Sequence, residues 1–175
     1  MLNQKEGESH ALRLGKLFGN LLSLEMIARM ALATTDAKVS FLKGPQLPQL
    51  KKGQRVEVNP LTDGKGLMGV LKQYNHQVSA AHRIDAERVV ELRDALAHGR
   101  MFGFGPKGSH LRLLKFDKKS DKQGKVLVTM AIDMTEGWFN DGIRFLDGEI
   151  EKVTELLNYQ KRPLQGGRES LKSGL

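Results

Sequence analysis

Arg93, Asp94 and His98 stand within six residues, in the run Arg93-Asp94-Ala95-Leu96-Ala97-His98-Gly99. On a helix that run spans about one and a half turns. Histidine titrates near neutrality and can take or give a proton. Arginine presents a planar fork that matches phosphate oxygens. Together they suit a reaction in which a ribose 2′-hydroxyl attacks its own phosphodiester. Such a reaction needs a base, an acid for the leaving 5′-oxygen and a cation for the charged transition state. It needs no metal. The five histidines, His10, His76, His82, His98 and His110, are scattered, and none forms a spaced ligand pair within a helix. With no cysteine in the chain, disulfides and thiolate metal sites are excluded, and no metal or cofactor is expected.

Helical geometry sets what these groups can do together. Asp94 and His98 are four apart and lie about 40° from each other on one face. Glu91 is on the same side. Arg93 is five from His98, about 140° round the cylinder, and only its long stem lets it reach toward the C-terminal turn. Ala95 and Ala97 add almost no bulk between them. The reaction moves two protons, yet the run supplies one histidine. A two-fold symmetric homodimer built on this helix would bring two copies of Arg93 and His98 to one axis.

The surrounding elements are read from hydrophobic spacing. Leu14, Leu17, Phe18, Leu21, Leu24, Ile27 and Met30 predict a long helix over residues 8–33, with Ser9 as its N-cap. Asn20 and Glu25 are polar in this apolar neighbourhood and need partners, and bracing the motif arginine is one role open to them. Residues 43–60 carry Gly44, Pro45, Pro48, Gly53 and Pro60 and read as a surface connection, with a brief strand at 55–58. Thr62 or Asp63 caps a second helix through about Val78, weakened by glycines, and Asp85 opens a third that Gly99 stops. Gly103 to Gly108 reads as a loop, residues 110–132 as a β-hairpin, and Thr135 caps a last helix through about Tyr159. Residues 161–175 read as a disordered basic tail. The expected architecture is mainly α: one domain over 1–160, a helical bundle with one β-hairpin inserted before the last helix.

Arg93-Asp94-Ala95-Leu96-Ala97-His98 resembles the signature of HEPN-domain proteins: an arginine, a polar residue, a few small or apolar residues, then histidine on a late helix of a bundle. The long first helix with Gly15, Asn20 and Glu25 is also similar to the opening of such proteins. The hairpin lies outside the minimal family pattern and would make this a decorated member. The resemblance implies an HEPN-like dimeric bundle and a metal-independent endoribonuclease acting on RNA. It implies a toxin or defence effector paired with a neutralising antitoxin, often a minimal nucleotidyltransferase. Carried over by position, Arg93 would stabilise the phosphate, His98 would be the acid–base or water-orienting group, and Asp94 would orient them or contact RNA. The alternative is a non-catalytic HEPN-like module that binds a protein partner or a nucleotide or RNA. The same run also fits an exposed helix end with an ordinary Asp94–His98 pair.

Composition bounds these readings. The 175 residues suit one domain with a real core, and 39% hydrophobic against 27% charged is a globular balance. The net charge of +8 favours polyanionic partners, nucleic acid first. Lys115, Lys118, Lys119, Lys122 and Lys125 read as a solvated hairpin tip that can still steer a polyanion. Met1 to Ser9 lacks the layout of a secretory signal, and Leu12 to Leu32 is interrupted by charges, so a cytoplasmic protein without membrane contact is expected.

Overall fold

A computed structural model describes residues 4–35, 49–104 and 110–160. The chain runs α1 (Gln4–Thr35), α2 (Leu67–Gln77), a 3-10 turn (Ala80–His82), α3 (Ala86–His98), β1 (Arg100–Phe104), β2 (His110–Ser120), β3 (Val126–Met134) and α4 (Glu136–Gln160). It is mainly helical with a small antiparallel sheet. The expected disordered tail at 161–175 and most of the expected loop at 103–108 lie outside the described residues.

The long helices at either end pack against each other. Leu17, Leu21, Leu24 and Ala28 of α1 share a core with Phe139, Leu146 and Val153 of α4. Each full burial of such a side chain is worth about 1.5–3 kcal/mol. The helices come close at Gly142, where a methyl group would sit 3.1 Å from Leu17 Cδ1. Leu71 and Tyr74 of α2, Val89 of α3, Leu113 of β2 and Met134 of β3 complete the core.

Before α3, three elements differ from the sequence expectation. The helix expected from residue 8 begins at Gln4, so Ser9 lies inside α1 and caps nothing. Residues 55–58 form no strand. The second helix starts at Leu67 rather than at Thr62 or Asp63. Asp63 is drawn instead to Arg29, whose guanidinium also donates to Glu25 Oε1 (3.0 Å) and to the carbonyls of Pro60 (2.9 Å) and Lys65 (2.6 Å). This buried arginine ties the segment before α2 onto α1.

The expected hairpin is a three-stranded sheet in the order β1-β2-β3. Met101 pairs with Leu113, and Leu113 with Ile132. The β2–β3 turn is closed by Asp121, whose Oδ1 accepts the backbone N–H groups of Gln123 and Lys125, both at 2.8 Å. Gly124 takes φ 75° there, a conformation glycine adopts without a steric penalty.

Candidate functional site

The Arg93–His98 run is the C-terminal half of α3, and both ends of that helix are anchored. Asn75 of α2 holds the backbone of Ile84 from both sides, donating to its carbonyl (2.7 Å) and accepting its N–H (2.8 Å). Asp85 caps α3 as expected, its Oδ1 accepting the N–H of Arg88 at 3.1 Å. The Asp85 N–H donates to Glu149 Oε2 on α4 (3.2 Å), and Lys152 holds the other oxygen of that buried carboxylate at 2.8 Å.

The far end rests on the sheet. Gly99 ends α3 with φ −72°, so no left-handed cap is formed. Its role is steric. A Cβ at Gly99 would meet the Ala95 carbonyl and stand 2.5 Å from Leu113 Cδ1. Only glycine lets the chain leave the helix and enter β1 with the sheet this close.

Within this frame Arg93 is half-buried, and its Nη1 lies 3.0 Å from Asp94 Oδ1. Asp94 is thus committed to the neighbouring arginine. His98 is exposed on the last turn, with no hydrogen-bond or ion-pair partner among the described residues. The Asp94–His98 pair that the spacing permits does not form. Arg93 and His98 keep the separation round the helix that their five-residue interval dictates. The two alanines differ: Ala95 is buried against its own protein and Ala97 is exposed. Only Ala97 leaves space for an approaching group. Asn20 and Glu25 do not brace Arg93; Asn20 donates to Asp147 (2.7 Å) and Glu25 accepts from Arg29.

Beside the run lies a cleft of about 220 Å³ between α3, β3 and α4, lined by Glu91, Leu92, Ala95, Trp138 and Phe145 among others. The Arg88 guanidinium stacks 4.0 Å from the centre of the Phe145 ring. Trp138 meets the buried Phe139 edge-on at 5.0 Å. Sequence reasoning missed this cleft, because it is assembled from three elements and no local spacing signals it.

The lysines of the hairpin tip sit where expected, with Lys118, Lys119, Lys122 and Lys125 exposed and Lys115 half-buried. Among the described residues no three His, Cys, Asp or Glu side chains gather as a metal centre would require. Gly7–Thr35 of α1 is long and apolar enough, by length and composition, to cross a bilayer, and 44% of its most apolar window is buried within the protein. No family model, curated protein or solved structure matches this chain.

Proposed function

We propose that this protein is a metal-independent endoribonuclease of HEPN type, cleaving RNA at a composite site shared by two copies. The observation that supports it most is His98. It is an exposed imidazole on the last turn of a helix anchored at both ends, five residues along α3 from Arg93 and next to the open surface of Ala97. A solvent-accessible imidazole and a guanidinium that meet on one phosphodiester are what 2′-hydroxyl attack requires.

In this reading Arg93 exchanges Asp94 for the scissile phosphate and neutralises charge as the transition state forms. One His98 removes the 2′-hydroxyl proton. The other, from the second protomer, protonates the leaving 5′-oxygen. Dimerisation across α3 brings the two together and offsets the angular separation of Arg93 and His98 within one chain. The lysine-rich hairpin tip steers the strand toward the pair. The resemblance extends the proposal to a cytoplasmic toxin or defence effector held in check by an antitoxin or nucleotidyltransferase partner.

One observation favours a second reading. Arg93 already has a carboxylate partner, and Asp94 has no contact with His98. That arrangement suits a module that binds RNA, a nucleotide or a protein without cutting. Incubating purified protein with single-stranded RNA in EDTA separates the two. Cleavage lost in both Arg93→Ala and His98→Ala supports the nuclease; RNA bound but uncut by the parent protein supports the binding module.

A further inference from the structure

The first helix is apolar on two opposite faces. One faces the core through Leu17, Leu21, Leu24 and Ala28. The other points away from it and carries Leu12, Gly15, Gly19, Leu22, Met26 and Met30, at intervals of 3, 4, 3, 4 and 4 residues. These six fall within an arc of about 80°. Leu12 is 76% exposed, Leu22 69%, Met26 49% and Met30 38%. An exposed apolar strip on the side of a helix away from its core face marks a contact surface.

The glycines carry the argument further. Glycine inside a helix is disfavoured against alanine. At Gly15 and Gly19 an added Cβ would meet nothing within 4 Å. The packing of the single chain therefore does not use their smallness. Close approach of another backbone would.

We propose that this strip is an interface with a second copy of the chain, the two α1 helices pairing antiparallel about a dyad between Gly19 and Leu22. The order of residues along the strip selects that partner and that direction. Beyond Leu12, the strip runs from the small Gly15 and Gly19 to the large Leu22, Met26 and Met30. Antiparallel pairing sets Leu22 over Gly19 and Met26 over Gly15, so knobs meet holes at the four central contacts, and it brings Met30 near Leu12 as an apolar contact at each end. Parallel pairing would bring the helices together at the glycines and wedge them apart at Leu22 and Met26. The contact covers on the order of 1,000 Å² over both copies, the low end for specific interfaces. A dimer in rapid exchange at micromolar concentration follows. The seam goes beyond the nuclease reading and is independent of any pairing across α3. If both form, their separate dyads build a larger assembly.

Sedimentation velocity of the full chain from about 1 to 200 µM tests this, with the Gly15→Leu/Gly19→Leu double variant beside it. The variant fills two open positions with better helix formers, so its melting temperature stays level or rises. Its association through α1 weakens by 10-fold or more, halving the assembled mass where the parent is paired. Direction is read by cross-linking, because the chain has no cysteine of its own. Leu22→Cys forms a disulfide dimer on mild oxidation, whereas Met30→Cys, some 28 Å from its counterpart in the antiparallel pair, does not. The proposal is overturned by a parent protein that stays monomeric at 200 µM, by a double variant that assembles unchanged, or by equal cross-linking at both cysteines. Co-sedimentation of the parent with phosphatidylcholine vesicles, abolished by the double variant, would assign the strip to a bilayer instead.

Discussion

Two adjacent residues at the end of α3 separate the proposed chemistry from the architecture. His98 is exposed and free of partners among the described residues. His98→Ala should therefore change stability by less than about 0.5 kcal/mol and, under the proposed nuclease reading, abolish RNA cleavage in EDTA. Thermal melting and a gel assay on the same preparation check both halves; full cleavage by a folded variant would remove His98 from the reaction. Gly99 is the opposite case. Gly99→Ala drives a methyl group into Leu113 and the Ala95 carbonyl, which should cost about 1–3 kcal/mol in urea unfolding. Any activity lost in that variant follows from displacing the end of α3.

At the scale of elements, the half-buried Asp63 and the buried Tyr74 make the fold respond to pH at its extremes. Burial alone would raise the Asp63 carboxyl. The Arg29 guanidinium and the Lys65 backbone N–H outweigh burial and hold it below its ordinary value. A depressed folded pKa contributes stability that is present above the ordinary carboxylate pKa and is lost as pH falls through the folded value. Asp63→Asn should abolish that acid-side loss, and Arg29→Met should cost about 3 kcal/mol by removing the guanidinium from Glu25 and Asp63, with only the exposed Lys65 ammonium left 3.6 Å from Asp63. Urea titrations from pH 7 down to pH 2 measure both. Tyr74 acts at the other end. Burial first, and the Glu149 carboxylate second, push its hydroxyl up to about 12. Its raised folded pKa contributes stability that is present below the ordinary tyrosine value near 10 and is lost as pH rises toward the folded value. The loss is on the order of 2 kcal/mol. Tyr74→Phe should unfold at higher pH than the parent protein; an unchanged alkaline midpoint would argue against this assignment.

For the molecule as a whole, charge and surface decide the partners. The net charge of +8 is concentrated in part on the lysines of the β2–β3 tip. If that tip carries RNA, Lys118→Gln/Lys119→Gln/Lys122→Gln should make the salt dependence of binding shallower by about 2 in log–log slope. Fluorescence anisotropy with single-stranded RNA from 50 to 300 mM salt checks it, and an unaltered slope places the RNA elsewhere. The outward strip of α1 is a second surface of opposite character, apolar and suited to a copy of itself. The two are separable, because the lysine variant changes no residue of α1 and the glycine variant changes no charge.

Whatever depends on neighbours a few residues away could be read directly from the chain. The periods of α1, α3 and α4 were legible, and so were the caps at Asp85 and Thr135, because helical hydrogen bonds and caps span only three or four positions. The Arg93–His98 spacing was legible for the same reason, and with it the one-face placement of Asp94 and His98. Tertiary structure alone decided which groups then found partners. Asp94 pairs with Arg93 rather than His98, and Asp63 leaves its expected helix start for Arg29. Residues 100–104, whose Gly103 reads as loop, become a strand because β2 offers an edge to pair with. Gly99, which reads as a stop signal, is required by a leucine on that same β2 strand. Such choices depend on distances between segments far apart in the chain, and no local pattern encodes those until the core has closed.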